Sequence, residues 1–193
     1  MTIRVLVPLA QGCEELEAVT IIDLLRRAKI EVVAAGLTPG PVQGSRGTIL
    51  VPDTTLDDAL SRDYDMVVLP GGQPGATHLE SDARIVKLVR KMAAGGQYTA
   101  AICAAPKVLA TAGVLDGRRA TAFPGSIDAE AFPKTRLEDT TVVIDGKIIT
   151  SRGPGTAMDF SLGLIDVLCG REARDRVEAA LQRPEHHLSN ASG

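Results

Sequence analysis

Cys103 ends an apolar run, Thr99-Ala100-Ala101-Ile102, and is followed by Ala104-Ala105-Pro106. A strand that turns sharply into a helix needs small residues at the corner, because the backbone closes tightly there. This is the local geometry of a nucleophile elbow. Pro106 falls in the first helical turn, where its missing N–H costs little. The pattern therefore predicts Cys103 at the N-terminus of a helix over about 104–112. Free amides and the positive end of the helix dipole favour thiolate there, lowering the pKa below that of a free cysteine. Such a cysteine becomes a nucleophile without an adjacent histidine. The competing placement is a small, inert cysteine packed in the core. Cys169, between Leu168 and Gly170, reads as packing, and Cys13, ahead of Glu14, as at most an accessory redox group.

A carboxylate stands where it can partner that sulfur. Gly12-Cys13-Glu14-Glu15-Leu16-Glu17-Ala18 opens the first helix. Glu14 and Glu15 suit the positive end of its dipole. Glu17 instead heads an apolar stripe through Ile21, Leu24 and Ala28, while Thr20, Asp23 and Arg27 form the solvated face. Two placements stay open for Glu17. It caps the helix and points to water, or it turns inward at the end of the first strand, where burial raises its pKa and equips it to move a proton.

Leu69-Pro70-Gly71-Gly72-Gln73-Pro74-Gly75 follows a buried strand. Its glycines either make a plain turn or point N–H groups into a cleft, where with the amide of Ala104 they form an oxyanion hole. No phosphate-loop pattern occurs in this loop. Ser151-Arg152-Gly153-Pro154-Gly155-Thr156 reads as a rigid turn, with Thr156 as N-cap and Asp159 completing a capping-box arrangement. Arg152 is a substrate contact, an interface contact or a surface charge. His78 and the pair His186-His187 form no zinc constellation, so no metal is expected. Whether His78 folds back over Cys103 stays open.

These residues must be positioned by alternating elements. Apolar runs at Ile3–Pro8, Ile30–Ala35, Asp65–Leu69 and Thr99–Ile102 read as strands buried on both faces. Helices are expected at Glu14–Ala28, Asp57–Leu60, Ala83–Ala94, 104–112, Thr156–Cys169 and Arg171–Leu181. A short hairpin is expected from Gly40–Ser45 and Thr48–Val51, and a strand at Ala120–Phe123. A second hairpin, Thr140–Ile144 with Lys147–Thr150, turns at Asp145-Gly146. Alternation of this kind gives an α/β, three-layer flavodoxin-like sandwich, a mostly parallel sheet with helices on both faces. Its sites lie at the carboxyl ends of the strands. The reading is one domain over residues 1–183 and a flexible polar tail at 184–193, where Asn190-Ala191-Ser192 matches a glycosylation pattern by chance.

Composition excludes several function classes. The 193 residues are 45% hydrophobic and 23% charged, with 3% aromatics and a formal net charge of −3. That balance carries no electrostatic footprint for nucleic acid and too few aromatics for a base-stacking surface. No apolar run has membrane-spanning length and no signal peptide opens the chain. Three widely spaced cysteines make neither a disulfide framework nor a CxxC metal site, so a reducing, cytoplasmic compartment is expected.

Four segments occur in order: Glu14-Glu15-Leu16-Glu17, Val67-Val68-Leu69-Pro70-Gly71-Gly72, Ala101-Ile102-Cys103-Ala104-Ala105-Pro106 and Ser151-Arg152-Gly153-Pro154-Gly155-Thr156. Together they resemble the ThiJ/PfpI superfamily, most closely the branch containing the parkinsonism-associated protein deglycase, over about residues 3–181. The resemblance implies a flavodoxin-like sandwich, a homodimer and no cofactor. It places an oxidation-sensitive nucleophile on Cys103, a protonated glutamate on Glu17, and substrate-oxygen contacts on the amides of Gly72 and Ala104 beside Gly71. It implies cofactor-free conversion of methylglyoxal to lactate, deglycation of early glycation adducts, or redox-sensing and chaperone-like protection through sulfinate at Cys103. Peptidase relatives carry His after the cysteine, where this chain has Ala104. Branch members often carry His before Pro in the strand after the elbow helix. Here the pair is Phe123-Pro124, which leaves Cys103 with Glu17 alone and puts Phe123 with Arg152 and Pro154 among possible substrate or interface contacts.

Overall fold

The computed structural model describes residues 2–183; the tail expected at 184–193 lies outside the described residues. The elements run β1 (Arg4–Leu9), α1 (Glu15–Arg27), β2 (Glu31–Gly36), β3 (Val42–Gln43), β4 (Ile49–Leu50), β5 (Thr54–Thr55), α2 (Leu56–Ala59), β6 (Met66–Leu69), α3 (Gly75–Ser81) and α4 (Ala83–Ala94). They continue with β7 (Tyr98–Ile102), α5 (Pro106–Thr111), β8 (Arg119–Ala120), β9 (Arg136–Leu137), β10 (Val142–Asp145), β11 (Ile148–Ser151), a 3₁₀ turn at Pro154–Thr156, α6 (Ala157–Cys169) and α7 (Arg171–Ala180).

One seven-stranded sheet organises the molecule, in the order β10-β11-β7-β6-β1-β2-β5. All its pairings are parallel except β10 with β11, which form the antiparallel edge hairpin. Side chains alternate across this sheet, as the two-residue strand period requires. Val5, Val7 and Leu9 of β1 join Met66, Val68, Ala100 and Ile102 on one face, under α1, α6 and α7. Leu6, Val67, Leu69 and Ala101 point to the other face, under α2, α3, α4 and α5. Strands buried on both faces read as continuous apolar runs for this reason. The expected three-layer α/β sandwich is found.

Several details differ from the sequence reading. The strand expected at Ala120–Phe123 stops at Ala120, and β8 pairs in a separate two-stranded sheet with β9. Beyond it the backbone is drawn off by other partners: Thr121 N–H donates to Thr150 Oγ1 and Phe123 N–H to the Cys103 carbonyl. The short strands β5 and β9 were not expected, nor was helix α3, whose first residue is the glycine closing the Pro/Gly loop. The hairpin β3–β4 is present but only two residue pairs long. Thr156 stands at the start of α6, yet its hydroxyl turns back, accepting from Gly153 N–H (3.1 Å) and donating to the Gly153 carbonyl (2.8 Å). Asp159 pairs with Arg183 at 2.7 Å and completes no capping box.

Candidate active site

Four neighbouring strands, β1, β6, β7 and β11, deliver their carboxyl ends to one edge of the sheet. From β1 the chain enters α1, which turns Glu17 inward: the side chain is fully buried with Ile21 and Leu24, while Asp23 and Arg27 pair in solvent at 2.7 Å. Of the two placements open for Glu17, the inward one is found. From β6 come Gly71 and Gly72, and from β7 comes Cys103.

Cys103 has φ of +63°, a left-handed conformation uncommon for a residue with a Cβ and found mainly where surroundings enforce it. Its N–H donates to the Ser151 carbonyl (2.9 Å) and its carbonyl accepts from Phe123 N–H (2.8 Å). The turn is closed by Ala105 N–H donating to the Ile102 carbonyl at 3.0 Å. Helix α5 begins only at Pro106 and spans six residues. Cys103 thus precedes the helix instead of heading it, and the amides that reach its sulfur are those of Gly72 and Ala104.

The glycine pair is required by space. A Cβ on Gly71 would lie 2.7 Å from Cys103 Cβ, 2.8 Å from the Ile102 carbonyl and 2.9 Å from Glu17 Oε2. Gly72 has φ of +86° and its Cβ would fall 2.3 Å from Glu14 N. The close approach lets Gly71 N–H donate to Glu17 Oε2 at 2.8 Å. Glu17 Oε1 is buried with no well-directed hydrogen-bond partner; the group beside the carboxyl that interacts with it is the Cys103 side chain.

Burial pushes the Glu17 carboxyl up to about 7, against the pull of the Gly71 amide and Cys103. Burial also pushes the Cys103 thiol up to about 12, with the charge of an ionised Glu17 adding to it and the amides of Gly72 and Ala104 opposing it. The lowering expected at Cys103 from a helix terminus is therefore outweighed: the residue is only 8% exposed, a desolvation invisible in the sequence. As a unit, the pair releases one proton near 7 and keeps the other to far higher pH. Between those limits one proton is shared. The amide of Gly71 points at the carboxylate, and those of Gly72 and Ala104 lie near enough to the sulfur to oppose the rise.

The other expected residues distribute unevenly. Phe123 and Arg152 meet in a depression of about 290 Å³ walled by Ala122, Pro124, Ile127 and Leu137, with Glu138 and Asp139 at its rim. Arg152 is ion-paired with Asp139 there. Pro154 does not line it. His78 is exposed on α3, with Nδ1 2.9 Å from the Gln11 carbonyl as its hydrogen-bond contact. Cys13 is fully buried, and its thiol is pushed up to about 11 by burial and by Glu15. Among the described residues no group of three or more His, Cys, Asp or Glu could hold a metal, and no helix is long and apolar enough to cross a membrane.

The sequence reading missed the brace behind the glycine loop. Glu15, assigned to the helix dipole, accepts from Arg46 N–H (2.9 Å) and Thr48 N–H (3.2 Å). Ser45 Oγ donates to Glu14 Oε2 (2.9 Å), and Ser45 N–H to the Cys13 carbonyl (2.7 Å). Glu14 N–H in turn donates to the Gly71 carbonyl at 3.0 Å. Nothing in the spacing of an acid in a first turn points to a loop thirty residues on.

A left-handed corner cysteine on the carboxyl edge of a parallel sheet, with a buried acid from the neighbouring first helix, defines a class of flavodoxin-like α/β proteins. The chain belongs to the DJ-1/PfpI family, which it matches over residues 3–167. It is 42% identical over 182 residues to Protein dj-1beta of Drosophila melanogaster, covering 94% of this chain and 97% of the relative. The crystal structure of that Drosophila DJ-1beta superposes with a TM-score of 0.88 over 94% of this chain and 98% of the other. Protein DJ-1 homolog B of Arabidopsis thaliana is 43% identical over 173 residues, and there the chain spans 39% of the relative's length. A Caenorhabditis elegans protein named glutathione-independent glyoxalase DJR-1.2 is 34% identical over 162 residues, 84% of this chain and 86% of that one.

Proposed function

We propose that the protein is a cofactor-independent enzyme converting 2-oxoaldehydes to 2-hydroxy acids, methylglyoxal to lactate in the simplest case, and acting on early glycation adducts by the same first step. Cys103 is the nucleophile and Glu17 the acid and base. The observation that carries the reading is the fully buried Glu17 carboxyl at the left-handed corner of Cys103, with Gly71 packed against both and its N–H donating to Glu17 Oε2. The relative named as a glutathione-independent glyoxalase supports it.

In the starting state the thiolate accepts from the amides of Gly72 and Ala104, and protonated Glu17 donates to it. The sulfur attacks the aldehyde carbon, and Glu17 gives its proton to the new oxyanion, forming a hemithioacetal. Glu17 carboxylate then takes the hydrogen from that carbon. The resulting enediolate receives it back on the neighbouring carbon while the hydroxyl proton passes between the two oxygens. A 2-hydroxy thioester results. Water, losing a proton to Glu17, cleaves the thioester, releases the 2-hydroxy acid and restores thiolate and protonated carboxyl. Oxidation at one carbon balances reduction at the next, so no external redox agent is consumed. The amides next to the sulfur hold the developing oxyanion. Lactate formation from methylglyoxal in a metal-free assay tests the reading: Cys103→Ser is expected to abolish it, and retained activity overturns it.

The two amides near the sulfur also favour a second reading, a peroxide sensor whose Cys103 rests as sulfinate. Peroxide, followed by mass spectrometry, is then expected to add two oxygens at Cys103 alone; uniform oxidation of all three cysteines contradicts it. We further propose that the chain acts in the cytoplasm as a homodimer. Leu16 and Val19 of α1 and Ile49 and Val51 around β4 are each about half exposed or more, on two elements tied together by Glu15.

A further inference from the structure

The backbone of Cys103 is clasped from two sides, and the clasp leads into the depression beside it. Its N–H is bonded to Ser151, whose neighbour Arg152 stands at the rim. Its carbonyl is bonded to Phe123 N–H, and Phe123 forms the near wall. Two residues of the depression's lining, Phe123 and Arg152, are thus held at or next to the backbone partners of Cys103. The wall is apolar: Phe123 is 50% exposed and Leu137 43%, and the Phe123 ring abuts Gly153, where a Cβ would sit 3.5 Å from Cδ2. Side chains of that size left in contact with water gain from being covered. The rim offers no surplus cation. Arg152 is matched by Asp139, and Glu138 by Arg119 at 3.4 Å. An anionic substituent would meet two carboxylates, whereas an uncharged apolar one displaces only water.

We propose that this depression is a specificity subsite for the non-reacting substituent of the substrate, with Phe123 and Leu137 as its determinants, so that the enzyme favours 2-oxoaldehydes bearing an aryl or branched alkyl group over methylglyoxal. The inference rests on the reaction proposed above. Filling an apolar subsite discriminates by about 10–200-fold per small group. The volume of about 290 Å³ admits a single ring.

The test compares kcat/KM for phenylglyoxal and methylglyoxal in wild type, Phe123→Ala and Leu137→Asp, with Cys103→Ser as the blank for reaction of phenylglyoxal with arginine. Wild type is expected to favour phenylglyoxal. Each subsite variant is expected to lower the phenylglyoxal-to-methylglyoxal ratio about tenfold, mainly through KM. Two variants at separate residues of the lining guard against loss of fold in either. Conversion of methylglyoxal by wild type with a ratio that neither variant changes overturns the subsite and leaves the reaction standing. Conversion of neither substrate overturns the reaction and the subsite with it.

Discussion

Gly71 N–H donates to Glu17 Oε2 across 2.8 Å, and the absence of a side chain at residue 71 is what permits the approach. The same backbone carries the next amide, of Gly72, to the Cys103 sulfur. One glycine pair therefore sets the distance between acid and thiol. Gly71→Ala is expected to cost about 1–3 kcal/mol by overpacking and to remove most lactate formation. Urea unfolding with kinetics checks this; a variant of unchanged stability and activity contradicts the tight approach.

Glu17 makes stability depend on pH. In the fold the Glu17–Cys103 pair gives up its first proton near 7, against an ordinary 4.5 for a glutamate carboxyl, so folding favours the protonated pair. That contribution is fully present below about 4.5 and is lost as pH rises through about 7. The unfolding free energy of wild type relative to Glu17→Gln is expected to fall with rising pH across this window, by at most about 3 kcal/mol. Urea melts at pH 4 and pH 8 measure it. A difference constant with pH contradicts the buried acid.

Glu15 behaves oppositely. Burial raises its pKa, but its own backbone N–H, those of Arg46 and Thr48, and the Ser45 hydroxyl outweigh this and hold the carboxyl at about 2. Its stabilisation is present above about 4.5 and lost as pH falls toward 2. Glu15→Gln is expected to destabilise the fold by about 1 kcal/mol at pH 7 and not at all near pH 2. Denaturant melts at the two pH values check the sign.

The exposed apolar cluster of Leu16, Val19, Ile49 and Val51 sets the expectation for assembly. Wild type is expected to sediment as a dimer, and the double change Leu16→Glu with Val51→Glu to sediment as a monomer of native circular dichroism. A monomeric wild type contradicts the homodimer.

The sheet and its order of elements were legible because strands buried on both faces write uninterrupted apolar runs, as in Val5–Leu9 and Met66–Leu69. The orientation of Glu17 was half legible: Ile21 and Leu24 mark the apolar stripe, but only the glycine loop from β6 explains what receives the carboxyl. Burial at Cys103 was illegible. Local small residues describe the turn, whereas desolvation comes from Gly71, Ser151 and Phe123 arriving from distant segments of the chain. The end of β8 at Ala120 has the same origin, since Thr150 and Cys103 compete for the amides that follow. Long-range hydrogen bonds leave no mark on local periodicity.

The central claim is that the proton shared by the pair resides on Glu17, leaving sulfur as thiolate. The rate of Cys103 alkylation against pH, in wild type and Glu17→Gln, tests it most directly. With the proton on Glu17, the wild-type rate rises with a midpoint near 7, and Glu17→Gln moves that midpoint upward, because an amide donates to thiolate more weakly than a carboxylic acid does. A strongly alkaline wild-type midpoint that falls in Glu17→Gln, as removal of a neighbouring negative charge would cause, contradicts the account.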